Sequence, residues 1–469
     1  MQPDAPPLSE TTLSHETDFT GIRLAELLGA LSQALDMTEG QPDGHCIRCC
    51  WIGVQIGHEL GLSETEIWEL YYTLLLKDLG CSSNAARICQ LYLTDDISFK
   101  RDYKTIGDRL PQVLGFVLSH TGMKSGLAER FRAIINILKN GGEIARELVE
   151  TRCQQGAQIA RLMRFSESVA HGIQCLDEHW DGKGKPERLA GAAIPLYSRI
   201  ALLAQVVDVM QASGGPTEAL REVEQRSGTW FDPNIVAAFK RLATSPEFWT
   251  ILTRSDLPSI VLAMEPGQHE AIVDDDYLDD IAAAFGKVVD AKSPYTSGHC
   301  ERVTLFADMI AEELGLSANH RRKLRRAALL HDIGKLGVSN SVLDKPAKLD
   351  DDEWAEMKRH AIYSENILSR IRAFADIARI GGAHHERLDG KGYPRGISGD
   401  QIDLDTRIVT TADIFDALTA DRPYRAAMPI SRALEIMGEM IGIALDITCV
   451  EALTRGLARL NPPDTSIAA

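Results

Sequence analysis

The chain has 469 residues, of which 44% are hydrophobic and 25% charged, and a formal net charge of −17. That length gives room for two or three soluble domains, each able to bury its own core. The acidic balance argues against whole-molecule attraction to a nucleic-acid polymer or an anionic membrane, because the long-range field repels phosphates.

Residues 1–18 are rich in Pro, Ser, Thr and acid and read as a disordered tail without the apolar core of a signal peptide. No apolar run reaches the roughly 20 residues of a membrane span. The stretch 194–210 comes nearest, and Arg199 and Asp208 interrupt it. The expected compartment is the cytoplasm. Of the nine cysteines, Cys46, Cys49 and Cys50 form a cluster with no second Cys or His pair at zinc-knuckle spacing, so reduced thiols on a helix are expected.

The segment from Leu24 to Asp36 opens a self-similarity that runs through the chain. Shifted by 254 positions it matches Leu278 to Asp290; Gly44-His45-Cys46 then matches Gly298-His299-Cys300, Arg48 matches Arg302, and Asp78 and Gly80 match Asp332 and Gly334. Further on the shift falls to 208: Asp181-Gly182-Lys183-Gly184 matches Asp389-Gly390-Lys391-Gly392, Arg199 matches Arg407, and Asp208 matches Asp416. The first copy therefore holds 46 extra residues between Cys81 and about Glu150. Residues 19–262 are expected to form the first copy, 263–276 a linker broken by Pro, Gly and the acids Glu265, Glu270, Asp274 and Asp275, and 277–469 the second copy.

Both copies read as all-α. After His299, the residues Val303, Ala307, Ile310 and Leu314 recur on one helical face, and Gly315 supplies a stop. Residues 321–330 form a basic-then-apolar helix running into His331, residues 351–372 a helix opened by acids, and residues 408–418 an apolar helix carrying Asp413. Strand-like alternation is scarce.

The second copy carries His299, His331-Asp332, His360, His384-His385 and Asp413 in that order. Singly each has an ordinary reading: a lone His is usually a surface or satisfied core residue, and Asp413 could pair with Arg407. Together, imidazoles and carboxylates spread over several helices suit two divalent metals, iron, manganese, zinc or nickel rather than calcium.

His331-Asp332-Ile333-Gly334-Lys335 resembles the signature of the HD hydrolase superfamily, and His384 through Pro394 (HHERLDGKGYP) resembles the extended signature of its HD-GYP subfamily. Asp421-Arg422-Pro423-Tyr424-Arg425 is similar to a further block of that subfamily. The resemblance, covering about Asp274 to Cys449, implies an HD-type helical bundle with a bimetallic centre that hydrolyses the bacterial second messenger cyclic di-GMP to pGpG or GMP. It implies His299, His331, Asp332, His360, His384, His385 and Asp413 as metal ligands, with Asp332 bridging. Lys335 would meet the scissile phosphate, and Tyr393, Arg422 and Arg425 the substrate. Tyr295 stands where trimetallic members carry Glu, which favours two metals. The ordinary reading of Arg422 and Arg425 is a solvated charge pair at a helix end.

In the first copy, Lys77 replaces His331, Cys153 replaces His360, and Leu176-Asp177 replace His384-His385. Gln205 replaces Asp413, Lys185 replaces Tyr393 and Cys81 replaces Lys335, so His45 and Asp78 alone remain of the seven ligands. His171 and His179 lie near that site but on no ligand position. This copy is expected to be folded and catalytically silent, with a regulatory, dimer-forming or signalling-partner role. The alternatives to cyclic di-GMP hydrolysis are a phosphohydrolase of another cyclic dinucleotide or nucleotide, and a cyclic di-GMP-binding scaffold with little turnover.

Overall fold

The computed structural model describes residues 22–106, 110–123, 125–267, 273–423 and 425–460. The tail 1–18, Glu270 and Tyr424 lie outside them. The described residues form helices and 3-10 turns, with isolated bridges and no strand.

Local signals set the helix ends. Ser63 and Asp350 open their helices with capping boxes, pairing with Glu66 and Glu353. Asp403 caps the helix Leu404–Thr419 by accepting from the backbone N–H of Thr406 at 2.7 Å. Gly44 and Gly298, with φ of +84° and +66°, turn the chain into the helices His45–Glu59 and His299–Glu313. A side chain there would be strained, and the left-handed turn makes each histidine the first residue of its helix.

The observed helices His299–Glu313, Ala318–Leu330, Asp351–Leu368 and Leu404–Thr419 cover the segments read as helical, and Gly315 has φ +73°. The 351–372 segment is shorter than expected: its helix ends at Leu368, and a 3-10 turn occupies Arg372–Phe374. The connection between the halves is also shorter, because one helix runs to Ala263 and the next starts at Asp275.

The two halves are packed on each other through equivalent elements. Helix Leu24–Thr38 lies against the 3-10 turn Ile333–Gly337 and the helix Asp351–Leu368. Reciprocally, helix Asp275–Asp290 lies against the turn Cys81–Asn84 and the helix Leu127–Leu162. The arrangement is a pseudo-two-fold. Helix Asp275–Asp290 buries Leu278, Ile281, Ala282, Phe285, Val288 and Val289 in a core that runs through both halves. The insertion has its own small core of Ile88, Tyr92, Phe99, Phe116, Ile137 and Ile144. Cys46, Cys49 and Cys50 lie buried and free on one helix. No helix among the described residues is long and apolar enough to cross a membrane.

Candidate metal centre

Helix Ala318–Leu330 delivers His331 at its C-terminal end, and Asp332 leads into the turn Ile333–Gly337. Gly334 lets that turn close on the His360 helix. A methyl group there would run into the carbonyl oxygen of His360, and the Gly334 N–H donates to Ser364 Oγ at 2.9 Å.

Four imidazoles are oriented in the same way. His331, His360 and His384 place Nδ1 at 2.7, 2.6 and 2.9 Å from the carbonyl oxygens of Ala328, Met357 and Gly381, each three residues back. His299 Nδ1 lies 2.7 Å from Oδ2 of Asp416. Every Nε2 is thereby turned inward, the arrangement by which a second partner fixes a metal-ligating tautomer.

The inward atoms converge on Asp332. His299 and His331 Nε2 each lie 3.2 Å from its Oδ2, and His360 and His384 Nε2 lie 3.5 and 3.6 Å from its Oδ1. Asp413 approaches from the far helix, 3.5 Å from His299 Nε2. The ligand atoms fall into two groups within 4.8 Å, one of His299, His331 and Asp332 and one of Asp332, His360, His384 and His385. Asp332 is common to both. Inside this buried cluster His331 Nε2 and Asp332 Oδ1 make no hydrogen bond of good geometry. Buried polar atoms without partners cost free energy, so the donor set fits a pair of divalent cations.

Electrostatics favour ligand forms for much of the set. Burial, with the neighbouring imidazoles, lowers His385 well below its usual range, and burial above all brings His360 down to about 3, so both are neutral donors. Burial alone would raise Asp332, but His331 and Lys335 beside it hold the carboxyl well below the usual range. The Lys335 ammonium forms an ion pair with Asp332 and keeps a small exposed face.

Tyr393 packs its ring 4.7 Å from His385 and 5.8 Å from the exposed Trp354. Its turn is held by Glu386, whose Oε1 accepts from the N–H groups of Arg395 (2.6 Å) and Gly396 (3.1 Å). Arg422 lies close enough to Lys335 to oppose its charge. Arg425 is differently used: its guanidinium donates to the carbonyls of Ala417, Leu418 and Ala426 and closes the end of helix Leu404–Thr419. The pairing of Asp413 with Arg407 does not form. Arg407 bonds Asp446 at 2.7 Å, because it faces away from the cluster. Tyr295 is partly exposed in the loop before His299.

Asp416 and Glu386 were not singled out from sequence. Their signal was present in the repeat, as Asp208 and Glu178 occupy the same positions in the first half. Glu178 accepts from Glu187 N at 2.6 Å, and Asp208 lies 2.6 Å from His45 Nδ1.

At the equivalent place in the first half, Lys77 Nζ lies 3.0 Å from His45 Nε2 and 3.2 Å from Gln205 Oε1, and pairs with Asp78. These are the counterparts of His299, Asp413 and Asp332, so an ammonium stands among residues that gather ligands in the second half. Arg152, and not Cys153 as the linear match has it, stands in the place of His360, because the Gly80 turn closes on its carbonyl as the Gly334 turn closes on that of His360. Arg152 pairs with Asp177, the counterpart of His385, and Lys104 Nζ lies 2.7 Å from Glu39. His171 is exposed, and His179 stacks on Trp230 at 4.1 Å.

A family model described as HD domain matches residues 122–235 and 284–448, one segment in each half. The 3'3'-cGAMP-specific phosphodiesterase 3 of Vibrio cholerae is 57% identical over 444 residues, 95% of this chain and 96% of its own length. The chain belongs to the HD domain family, in its HD-GYP branch. A solved structure described as a cyclic GMP-AMP specific phosphodiesterase of V. cholerae is 51% identical and covers 93% of this HD-GYP chain and 97% of its own, with a TM-score of 0.64. A cyclic di-GMP phosphodiesterase response regulator of Xanthomonas campestris is 43% identical over 179 residues, 38% of this chain and 47% of its own.

Proposed function

We propose that the chain is a metal-dependent cyclic dinucleotide phosphodiesterase whose substrate is 3'3'-cGAMP, hydrolysed at the centre in its second half. The observation that carries the reading is the double cluster of six donors around Asp332, with Asp413 beside His299. The substrate rests on the V. cholerae relative, which aligns along nearly the whole chain, first half included. Cyclic di-GMP is the second reading, favoured by relatives that align with less than half of the chain.

His299, His331, Asp332, His360, His384, His385 and Asp413 would hold two divalent cations, with Asp332 common to both groups, and this imidazole and carboxylate set suits iron, manganese, zinc or nickel. Such cations would supply positive charge against a phosphodiester and would lower the pKa of a bound water. The Lys335 ammonium faces the same space, where charge gathers on the phosphoryl oxygens. Asp416 fixes the His299 ring. Tyr393 and Arg422 border the space a nucleotide would enter. Arg425 positions the Arg422 turn through its bonds to the preceding helix end. The first half, about residues 19–262, is a silent copy, and residues 277–469 are the catalytic one.

The test is turnover by the full chain loaded anaerobically with Mn(II) or Fe(II), against 3'3'-cGAMP, cyclic di-GMP and cyclic di-AMP. The expected result is linear dinucleotide from 3'3'-cGAMP at the highest kcat/KM, abolished by His331→Ala with Asp332→Ala. Activity that survives the double substitution, or no hydrolysis of any of the three, would overturn the reading. Tight binding without turnover would instead support a sensor.

A further inference from the structure

The 46-residue insertion of the first half contains the helix Asp96–Tyr103, which lies between the two halves. Its cap is Asp95, which accepts from the N–H groups of Ile97 and Ser98 at 3.0 and 3.3 Å. Asp96 is therefore not needed as a cap. Its carboxylate is fully buried and directed into the second half. Oδ1 accepts from the backbone N–H of Asn340 at 2.8 Å and from Ser339 Oγ at 3.2 Å, and Oδ2 lies 3.4 Å from the buried ammonium of Lys292. Asn340 Nδ2 donates to the Lys292 carbonyl at 2.7 Å, so the carboxylate joins two segments already tied to each other.

Those segments flank the metal cluster. Lys292 begins the loop that ends at His299, and Ser339-Asn340 follows the turn that carries Asp332 and Lys335. One turn further along the inserted helix, Lys100 Nζ donates to the carbonyls of Cys81 (2.6 Å) and Thr38 (3.3 Å). Under the 254-residue shift, Cys81 and Thr38 are the first-half counterparts of Lys335 and Lys292. Another turn on, Lys104 reaches Glu39 beside Thr38. Residues spaced four apart share one helical face. A single stripe thus meets both halves, at one equivalent place (Lys292 and Thr38) and at a second that lies on the same turn or just after it (Asn340 in one half, Cys81 in the other), with an anion for one half and cations for the other.

We propose that this inserted helix is the device through which the first half acts on the metal centre, and that Asp96 is a positioning residue for His299 and for the turn of Asp332 and Lys335. The proposal rests on the reading of the second half as a metal centre. Asp96 touches neither ligand nor substrate, and it works through Lys292 and Asn340. A buried carboxylate with a buried ammonium partner leaves that ammonium uncompensated when it is removed, and the two loops must rearrange to solvate it.

The experiment uses the full chain with Asp96→Asn, Asp96→Ala, and Asp96→Asn combined with Lys292→Met. It measures Mn(II) affinity by equilibrium dialysis, hydrogen exchange in residues 292–299 and 333–340, and turnover of 3'3'-cGAMP. Asp96→Ala is expected to weaken Mn(II) binding by about tenfold, at the low end of what outer partners of metal ligands contribute. It should speed exchange in both segments. The neutral pair should recover affinity to within about threefold of wild type, because no unpaired charge remains. If Asp96→Ala does not fold, Asp96→Asn, which keeps shape and acceptor, decides. A folded Asp96→Asn or Asp96→Ala protein with wild-type Mn(II) affinity and wild-type exchange in both segments would overturn the proposal. If wild type turns over no substrate yet the affinities move as expected, the phosphodiesterase reading fails and the positioning role stands.

Discussion

His299 Nδ1 lies 2.7 Å from Oδ2 of Asp416, and the same pair recurs in the first half as His45 and Asp208 at 2.6 Å. Each carboxylate also takes an arginine, Arg302 in one half and Arg48 in the other. What each histidine faces on its other side differs: Asp332 and Asp413 for His299, the Lys77 ammonium for His45. The framework is kept and the electrostatics reversed. Burial opposes the proton on both rings. Against it, bonds to Asp332 and Asp416 raise His299 to about 9, whereas Lys77 helps burial bring His45 down to about 4.

Replacing Asp416 with alanine should free the His299 ring and weaken divalent-metal affinity by about 10–100-fold. Asp208→Ala should leave the metal content unchanged and lower only thermal stability. Metal titration beside thermal unfolding of the two variants checks both, and equal loss of metal in both would contradict the assignment of the centre to the second half.

Lys335→Met should lower kcat by about 10²–10³-fold, the usual cost of one donor to developing charge, with little change in bound metal. Steady-state kinetics with metal analysis separates this from a ligand role. Loss of metal in proportion to activity would assign Lys335 to holding the site together.

Lys77→Met should destabilise the protein by about 3–5 kcal/mol, because Asp78 is left as a buried charge without its partner. Urea unfolding reads the loss. Wild type should bind two divalent ions per chain, and a third ion lost in His45→Ala would show that the ammonium does not exclude metal from the first half.

His45 makes a pH prediction with a defined sign. Its folded value of about 4 lies below the model-peptide value of 6.5, so between these pH values the unfolded chain binds the proton and the folded one does not. Its stabilisation is present above pH 6.5 and is lost as pH falls toward 4. Asp36 acts oppositely, since burial raises it to about 7 and acidification from there favours the fold. The stability difference between wild type and His45→Gln isolates the histidine, and it should shrink by about 2 kcal/mol from pH 7 to pH 5.

Gly334→Ala should abolish metal binding more completely than any single His→Ala, since the methyl would force the turn of Asp332 away from the His360 helix. Gly80→Ala meets the carbonyl of Arg152 in the same way and should disturb the first half, reaching the metal only through the inserted helix and therefore costing less bound metal than Gly334→Ala. Metal content of the two purified variants distinguishes them.

The chain by itself determined the helices, the repeat, the 46-residue difference between its copies and the order of His299, His331-Asp332, His360, His384-His385 and Asp413. All of these are written in local periodicity, capping residues and spacing, which depend on neighbours in sequence. Tertiary packing decided which side chains meet. Asp416 reaches His299 across 117 positions, and Asp96 reaches Asn340 across 244. Arg425 turned to helix-end carbonyls that a linear reading leaves open, and Arg407 found Asp446 instead of Asp413. A buried carboxylate or guanidinium takes the partner that packing leaves within reach, because going without one costs more than any local preference. The opposite shifts of His45 and His299 were decided in the same way, by one ammonium or two carboxylates brought in from distant segments.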